Sequence, residues 1–184
     1  MIWIVVVVIV VLILLYLMST YNKFVKLDNK AEEAVAQIDA HLKQRFDMIP
    51  NLVEIVKGYA KHEKTTLEAV ITARNVGMNA KSLQDKDVAA KGLSESLKTV
   101  FALAENYPDL KANQGFLDLQ KQLVDVEKAI LQQRKYYNAI VKTFNTIIAT
   151  FPNSLVASMF STKFSKKEYL EIETQAKENV KVKF

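Results

Sequence analysis

The chain begins with a continuous apolar run and then changes to apolar positions that recur at helical spacing. Residues 2–18 carry no charged side chain. At about 1.5 Å per residue, a helix of this length reaches about 25 Å, near the thickness of the hydrocarbon core of a bilayer. Trp3 lies near one end of the run, and Tyr16 and Tyr21 lie near the other, as aromatic rings do at membrane interfaces. The pattern predicts a transmembrane anchor helix over residues 1–21. The anchor residues are Ile2, Trp3, Ile4, Val5, Val6, Val7, Val8, Ile9, Val10, Val11, Leu12, Ile13, Leu14, Leu15, Tyr16, Leu17 and Met18.

Other interpretations of this run predict different proteins. A cleaved signal sequence carries basic residues before the run and a small-residue cleavage site after it, and residues 19–22 provide no such site. A lipoprotein needs a cysteine, and the chain has none. A buried core helix or strand remains an alternative, although the run is several times longer than an ordinary strand. A further alternative is that residues 1–18 associate with the same segment of other copies instead of lying in lipid alone.

The charges that flank the run predict its orientation. No lysine or arginine precedes it, whereas Lys23, Lys26 and Lys30 follow closely. Because positive residues are retained on the cytoplasmic side, the sequence predicts a single-pass protein with most of its chain in the cytoplasm.

A heptad pattern predicts a long helix between Phe116 and Phe151. The two registers contain Phe116, Leu123, Ile130, Tyr137, Phe144 and Phe151, and Leu119, Val126, Gln133, Ile140 and Ile147. Ten of these eleven positions are apolar or aromatic. Further apolar residues widen the stripe at Leu117, Val124, Leu131, Val141 and Ile148. A stripe of this width predicts a helix in a multi-helix bundle instead of a two-stranded coiled coil.

The upstream sequence predicts three more bundle helices. Apolar residues recur every three or four positions from Phe24 to Ile49, and no proline or glycine interrupts residues 1–49. The anchor and the first bundle helix are therefore predicted to form one continuous rod. Pro50 predicts a kink or turn after Ile49, because a proline disfavours helical geometry in the residue before it. A second helix is expected from there to about Asn75.

The remaining boundaries follow from polar residues and prolines. We expect the second helix to continue through residues 60–66, although Thr65 to Glu68 also matches a capping box that predicts a new helix there. The polar residues 79–87 predict a connector. A third helix is expected to stop near Tyr107, and Pro152 ends the fourth helix.

These elements predict an all-α protein in which the transmembrane helix is followed by an antiparallel up-down four-helix bundle with long helices. The bundle covers residues 22–152, and residues 153–184 form a tail that is first apolar and then charged. The tail residues predicted to make assembly contacts are Leu155, Val156, Met159, Phe160 and Phe164. They are too apolar to be left in water, so they either fold back on their own bundle or bind a neighbouring copy.

Composition excludes several classes of protein. Four glycines and three prolines in 184 residues favour long helices. The absence of cysteine excludes disulfides and thiolate metal sites. The net charge of +5 is spread thinly, and only three of the 25 basic residues are arginine, so no nucleic-acid partner is expected.

Several long blocks of sequence resemble the LemA family of bacterial membrane-anchored helical proteins. The blocks run through residues 21–25, 36–39, 45–53, 57–63, 73–75, 105–113, 137–138 and 151–157. This resemblance implies an N-terminal membrane helix and an antiparallel four-helix bundle. It implies little chemistry, because the molecular role of the family is poorly defined.

The sequence offers few groups for catalysis or metal binding. Neither His41 nor His62 follows a glutamate at the Glu-x-x-His spacing of carboxylate-bridged metal bundles. No glycine-rich phosphate loop or nucleophile elbow is present. No catalytic residue, metal ligand or cofactor is therefore expected. Asn138 and Asn145, one heptad apart on the long helix, either pair with another helix or face water.

These observations lead to two hypotheses about function. The first is a non-enzymatic, membrane-anchored scaffold or adaptor at a bacterial envelope membrane, with the lipid bilayer, further copies of itself and other membrane proteins as partners. The alternative is a metal-binding or enzymatic bundle that uses His62, Glu63 and nearby carboxylates.

Overall fold

The computed structural model describes residues 1–171, which form six α-helices and no strand. The helices are α1 (Ile2–Tyr59), α2 (Lys64–Asn79), α3 (Leu83–Ala104), α4 (Pro108–Lys111), α5 (Gln114–Ala149) and α6 (Asn153–Met159). The predicted all-α class and the long apolar N-terminal helix are confirmed. The charged end of the predicted tail, residues 172–184, lies outside the described residues.

Helix α1 is longer than the sequence predicted. The anchor and the first bundle helix are one continuous helix, as expected, but the predicted helix boundary at Pro50 is absent and α1 ends at Tyr59. A proline inside a helix has no N–H to donate to the carbonyl four residues earlier. Here that carbonyl belongs to Phe46, and it accepts a hydrogen bond of 2.9 Å from Nε of Arg74 in α2. A side chain from another helix thus replaces the donor that Pro50 lacks.

The same place brings α1 and α2 into close contact. Gly77 of α2 is buried against the ring of Phe46, and a Cβ at this position would overlap that ring. The absence of a side chain at Gly77 therefore allows α2 to approach α1 near enough for Arg74 to reach the free carbonyl.

The first interruption of the helical chain comes after Tyr59, where continuity was expected. Residues 60–63 form a turn, and α2 begins at Lys64 before the predicted capping box, which makes no cap. Two hydrogen bonds from distant residues fix this turn. The Tyr107 hydroxyl donates to Oε1 of Glu63 at 3.1 Å, and Nδ2 of Asn113 donates to the Tyr59 hydroxyl at 3.0 Å. These partners lie more than forty positions away in the chain, so local sequence composition does not reveal them.

Helix α3 begins earlier than predicted. The connector is only residues 80–82, because Ser82 caps α3 by accepting a hydrogen bond of 3.0 Å from the backbone N–H of Asp85. A serine N-cap with an acidic residue in the first turn is a strong start signal. The prediction that residues 79–87 form a polar connector was therefore wrong from Leu83 onward.

The described chain forms two compact units. The first unit contains residues 1–38 and 135–169, and the second contains residues 39–134 and the chain from 170 onward. Helices α1 and α5 contribute residues to both. The antiparallel arrangement of four helices remains a prediction.

The heptad seam of α5 lies mostly in the protein interior. Its first register is buried at Phe116, Leu123, Ile130, Tyr137 and Phe144. Phe151, the last member, lies beyond the end of α5 and is exposed. Leu117 and Val124, which were expected to widen the stripe, are exposed as well. The buried seam is thus narrower at the start of α5 than the sequence suggested.

The second unit also contains two buried arginines whose ion pairs join three helices. Arg45 of α1 lies 2.5 Å from Oε2 of Glu127 in α5 and donates to Oγ of Ser94 in α3 at 3.1 Å. Arg134 of α5 lies 2.8 Å from Oδ1 of Asp87 in α3. Burial lowers the pKa of Arg45, and the charge of Glu127 opposes that shift. An arginine remains protonated under these conditions, so removal of a single partner would leave a buried charge unpaired.

Replacement of Arg74 tests whether its hydrogen bond to the Phe46 carbonyl compensates for the N–H that Pro50 lacks. We expect Arg74→Met to lower the free energy of unfolding by about 1–3 kcal/mol, because the Phe46 carbonyl loses its donor. In a Pro50→Ala background, residue 50 supplies its own N–H to the Phe46 carbonyl. There Arg74→Met should lower the free energy of unfolding by at least about 1 kcal/mol less than it does in the native background. Urea unfolding of the full chain in mild detergent, followed by circular dichroism, measures both. An equal loss of free energy of unfolding in the two backgrounds would show that Arg74 does not compensate for the missing N–H of Pro50.

Candidate functional site

The apolar run lies exposed on α1, except for the half-buried Leu17. No residue of its most apolar 18-residue window is buried, and this is the single helix within residues 1–171 that is long and apolar enough to cross a membrane. An exposed apolar surface of this size indicates a contact with lipid or with another protein. Leu17, near the end of the run, packs half-buried against the chain's own core, whereas the other residues of the run are exposed. The run is therefore not the buried core helix of the alternative interpretation.

The C-terminal segment folds back on the first unit beside the end of this run. Phe164 is buried against aromatic rings of α1 and α5, with centroid distances of 5.2 Å to Phe24, 5.4 Å to Tyr21 and 6.4 Å to Phe144. The ring pairs are all edge-on, an arrangement that aromatic side chains prefer. Val156 of α6 is buried in the same cluster.

Side chains of α5 hold the backbone of the segment that follows α6. Asn145 makes two hydrogen bonds to Lys167: its Nδ2 donates to the Lys167 carbonyl at 2.9 Å, and its Oδ1 accepts from the Lys167 N–H at 3.0 Å. The Tyr137 hydroxyl donates to the Glu168 carbonyl at 3.1 Å. Burial raises the pKa of Tyr137, and Lys167 opposes the shift, so the phenol remains a donor at neutral pH. Asn145 thus pairs with the chain's own C-terminal segment, and neither of its two predicted roles is correct.

Polar contacts join the same segment to α1. Nζ of Lys167 lies 2.6 Å from Oδ1 of Asp28. Nζ of Lys163 donates to the Tyr21 hydroxyl at 3.1 Å. The Tyr16 hydroxyl donates to Oδ1 of Asn153, the first residue of α6, at 2.7 Å. These bonds place α6 beside the last turns of the apolar run.

The five predicted assembly residues fall into two groups. Val156 and Phe164 are buried in the core of their own chain. The other three are exposed: Leu155 by 57%, Met159 by 66% and Phe160 by 41%. We call these three residues the α6 patch. Assembly stays a prediction, and the α6 patch is the part of the predicted set that is accessible to a partner.

A cleft lies between part of the α6 patch and the end of the apolar run, and residues of both line it. It has a volume of about 360 Å³ and is lined by Leu17, Met18, Tyr21, Asn22, Met159 and Phe160. Its walls are mostly apolar. The cleft makes the α6 patch continuous with the surface of the apolar run.

Charge is distributed unequally between the two units. The first unit contains eight lysines and four acidic residues, whereas the described part of the second contains fourteen basic and fourteen acidic residues. No acidic residue occurs in residues 1–27 or 135–167. The positive surplus of the described chain therefore belongs to the unit that carries the apolar run.

The residues of the alternative hypothesis are also placed by the structure. His62 is exposed in the turn before α2, and Glu63 is engaged by the Tyr107 hydroxyl. His41 is half-buried on α1. Within the described part of the chain, no three His, Cys, Asp or Glu side chains lie close enough together to hold a metal ion.

Comparison with known proteins agrees with the blocks noted in the sequence. The model of the LemA family matches residues 34–184. The chain belongs to the LemA family. The match covers most of the chain and begins within α1, so the family assignment does not depend on the apolar run. No curated protein matches this LemA-family chain.

The residues that hold the C-terminal segment in this LemA-family chain were not predicted from its sequence. No role was expected for Asp28 or for Asn153. Their partners, Lys167 and Tyr16, are more than 130 positions away in the sequence. The sequence predicted that Phe24 lies on the apolar face of its helix, but it did not predict that the ring of Phe24 packs against the ring of Phe164.

The hydrogen bonds of Asn145 give a direct test of the folded C-terminal segment. In Asn145→Ala the Lys167 N–H loses its acceptor, at an expected cost of about 1–2 kcal/mol. Exchange of the Lys167 amide with deuterium should then be roughly 5 to 30 times faster.

The matched control is Thr146→Ala, because the Thr146 hydroxyl donates only within α5, to the Lys142 carbonyl. The control should leave exchange at Lys167 unchanged. If both variants exchanged at the native rate, Asn145 would not be holding the segment.

Proposed function

We propose that this LemA-family chain is a non-enzymatic scaffold or adaptor, held at a bacterial envelope membrane by the first turns of α1. The observation that carries the proposal is that the exposed apolar run and the helix that lines both folded units are one uninterrupted element, Ile2–Tyr59. A helix satisfies its own backbone hydrogen bonds, as a segment in lipid must. The bilayer is the first partner in this proposal.

The bonding of four polar side chains supports a function that depends on binding other molecules. Arg45 and Arg134 form ion pairs between helices, Arg74 binds a backbone carbonyl, and Asn145 binds the C-terminal segment. All four thus stabilise the fold itself. A catalytic site instead gathers titratable groups in a cleft and leaves them free to act on a substrate. The cleft beside the α6 patch is lined by apolar residues and tyrosine, which suits a binding surface.

Orientation and assembly are the finer parts of the proposal. Lys23, Lys26 and Lys30 follow the run and favour a cytoplasmic location for the folded units. The valine and isoleucine side chains of the run are exposed, and side chains of this shape are suited to packing against a second helix of the same kind. Self-assembly through the anchor, and adaptor contacts with other membrane proteins, follow from that surface.

Insertion is tested by placing charges in the middle of the run. Because an aspartate at the centre of a membrane helix costs about 2.5–3.5 kcal/mol, Val8→Asp combined with Val11→Asp should release the chain from membranes washed with alkaline carbonate. The native chain should stay in the membrane pellet. Val88→Asp combined with Val124→Asp, at exposed valines outside the run, controls for added charge and should pellet like the native chain. Release of the native chain by carbonate would refute the membrane anchor.

Self-assembly is tested by changing the shape of the anchor while every side chain in it stays apolar. We expect the native chain to sediment as an oligomer in mild detergent, and a variant with Val5, Val6, Val7 and Val8 changed to leucine to sediment as a smaller species. The reason is that helix association in lipid depends on close van der Waals packing. A native chain that sediments as a monomer would refute self-assembly, and unchanged oligomers in the variant would place the contacts on another surface.

A further inference from the structure

The α6 patch lies at the depth where a membrane-spanning α1 would leave the hydrocarbon. A hydrocarbon core of about 30 Å takes about 20 helical residues, slightly more than residues 2–18 supply. The boundary then falls close to Tyr21. Met159 and Phe160 line a cleft with residues 17–22, so they lie at this boundary rather than beyond it.

The position of α6 relative to the run is fixed by several contacts. The Tyr16 hydroxyl holds Asn153 at the start of α6, and the Tyr21 ring meets the ring of Phe160 at 5.0 Å. One side chain of the run, Tyr16, and one just after it, Tyr21, thus contact the chain at the beginning of α6 and just after its end. The exposed Leu155 and Met159 belong to the helical segment held between these contacts.

Exposed lysines surround this region, and the nearest acidic residues in the sequence are Asp28 and Glu168. Lys23, Lys26, Lys163 and Lys166 are all exposed, and the two stretches they belong to, residues 1–27 and 135–167, contain no acidic residue. Lys167 is already paired with Asp28. Exposed lysines next to an apolar surface at a membrane boundary suit anionic phospholipid headgroups.

We propose that the α6 patch inserts into the boundary of the bilayer leaflet in which α1 ends, with Lys23, Lys26, Lys163 and Lys166 on anionic phospholipid headgroups. The inference rests on the proposed membrane anchor and adds a second lipid contact with a headgroup preference. A single spanning helix is free to rotate about its own axis. A second contact beside it fixes the rotation of the first unit on the membrane surface.

Two observations favour lipid over a second copy of the chain as the occupant of this surface. The α6 patch is continuous with the apolar run through the cleft that both line. A second copy that packed on the same surface by two-fold symmetry would also bring two sets of exposed lysines together, and such like-charge contacts are unfavourable.

Because the chain contains no cysteine, single labels test the proposal directly. The full chain carrying Met159→Cys, labelled with the fluorophore NBD, is reconstituted in phosphatidylcholine vesicles with and without phosphatidylglycerol. Some of the lipids carry a nitroxide quencher near the headgroup. The matched control is Val88→Cys, since Val88 of α3 is exposed by 68% and Met159 by 66%. We expect blue-shifted emission and several-fold stronger quenching for the label at Met159, and a further increase with phosphatidylglycerol.

The charge contribution is tested in the same vesicles. Lys26→Gln combined with Lys166→Gln should reduce quenching at Met159 to the level seen in phosphatidylcholine alone. Lys57→Gln combined with Lys121→Gln, at exposed lysines of the second unit, should leave it unchanged. Added salt should weaken the phosphatidylglycerol effect, because it screens exposed charges.

Specific outcomes would overturn the inference. If the chain resists carbonate extraction but its Met159 label is quenched no more than the Val88 label, the anchor stands and the second lipid contact is refuted. If the Met159 label is shielded only at high protein density in the vesicles, a second copy occupies the α6 patch and lipid does not. If the chain itself is released by carbonate, the proposed membrane anchor fails, and the inference fails with it.

Discussion

The need of every backbone N–H and C=O for a partner shapes this protein more than any other constraint. An α-helix meets that need internally, so α1 is able to run from an apolar segment into folded units without a break. Its weak point is Pro50, which cannot donate to the Phe46 carbonyl. Arg74 supplies the missing donor from α2, and the small Gly77 allows the approach. One long helix and its first neighbour are therefore joined at the place where the helix would otherwise be weakest.

The same constraint explains the end of the described chain. Residues 165–171 form no helix or strand, so their backbone groups need partners from elsewhere. Asn145 and Tyr137 of α5 provide them. The segment is thereby held over the aromatic cluster around Phe24, where Phe164 is buried. The side chains that find no place in that cluster, Met159 and Phe160 among them, remain exposed beside the apolar run.

Charged residues are used differently in the two units. In the second unit, Arg45 and Arg134 are buried and form ion pairs between helices, and the described charges balance. In the first unit, lysines are exposed and in excess. Buried pairs favour one arrangement of helices over others, because each unpaired charge would be costly in the interior. Exposed lysines are free to meet an external anionic surface. The two units thus use the same kind of residue for different purposes.

The sequence by itself determined the features that depend on neighbours along the chain. The apolar run, the heptad seam of α5 and the all-α class are local patterns, and so are the blocks that identify the LemA family. Only the tertiary structure decided that α1 continues past Pro50, that a turn precedes α2, and that Asn145 binds the C-terminal segment. It also decided which predicted assembly residues are exposed and which are buried. Each of these depends on a partner distant in sequence, such as Arg74 for Phe46 or Lys167 for Asn145, and helical periodicity carries no information about contacts of that kind.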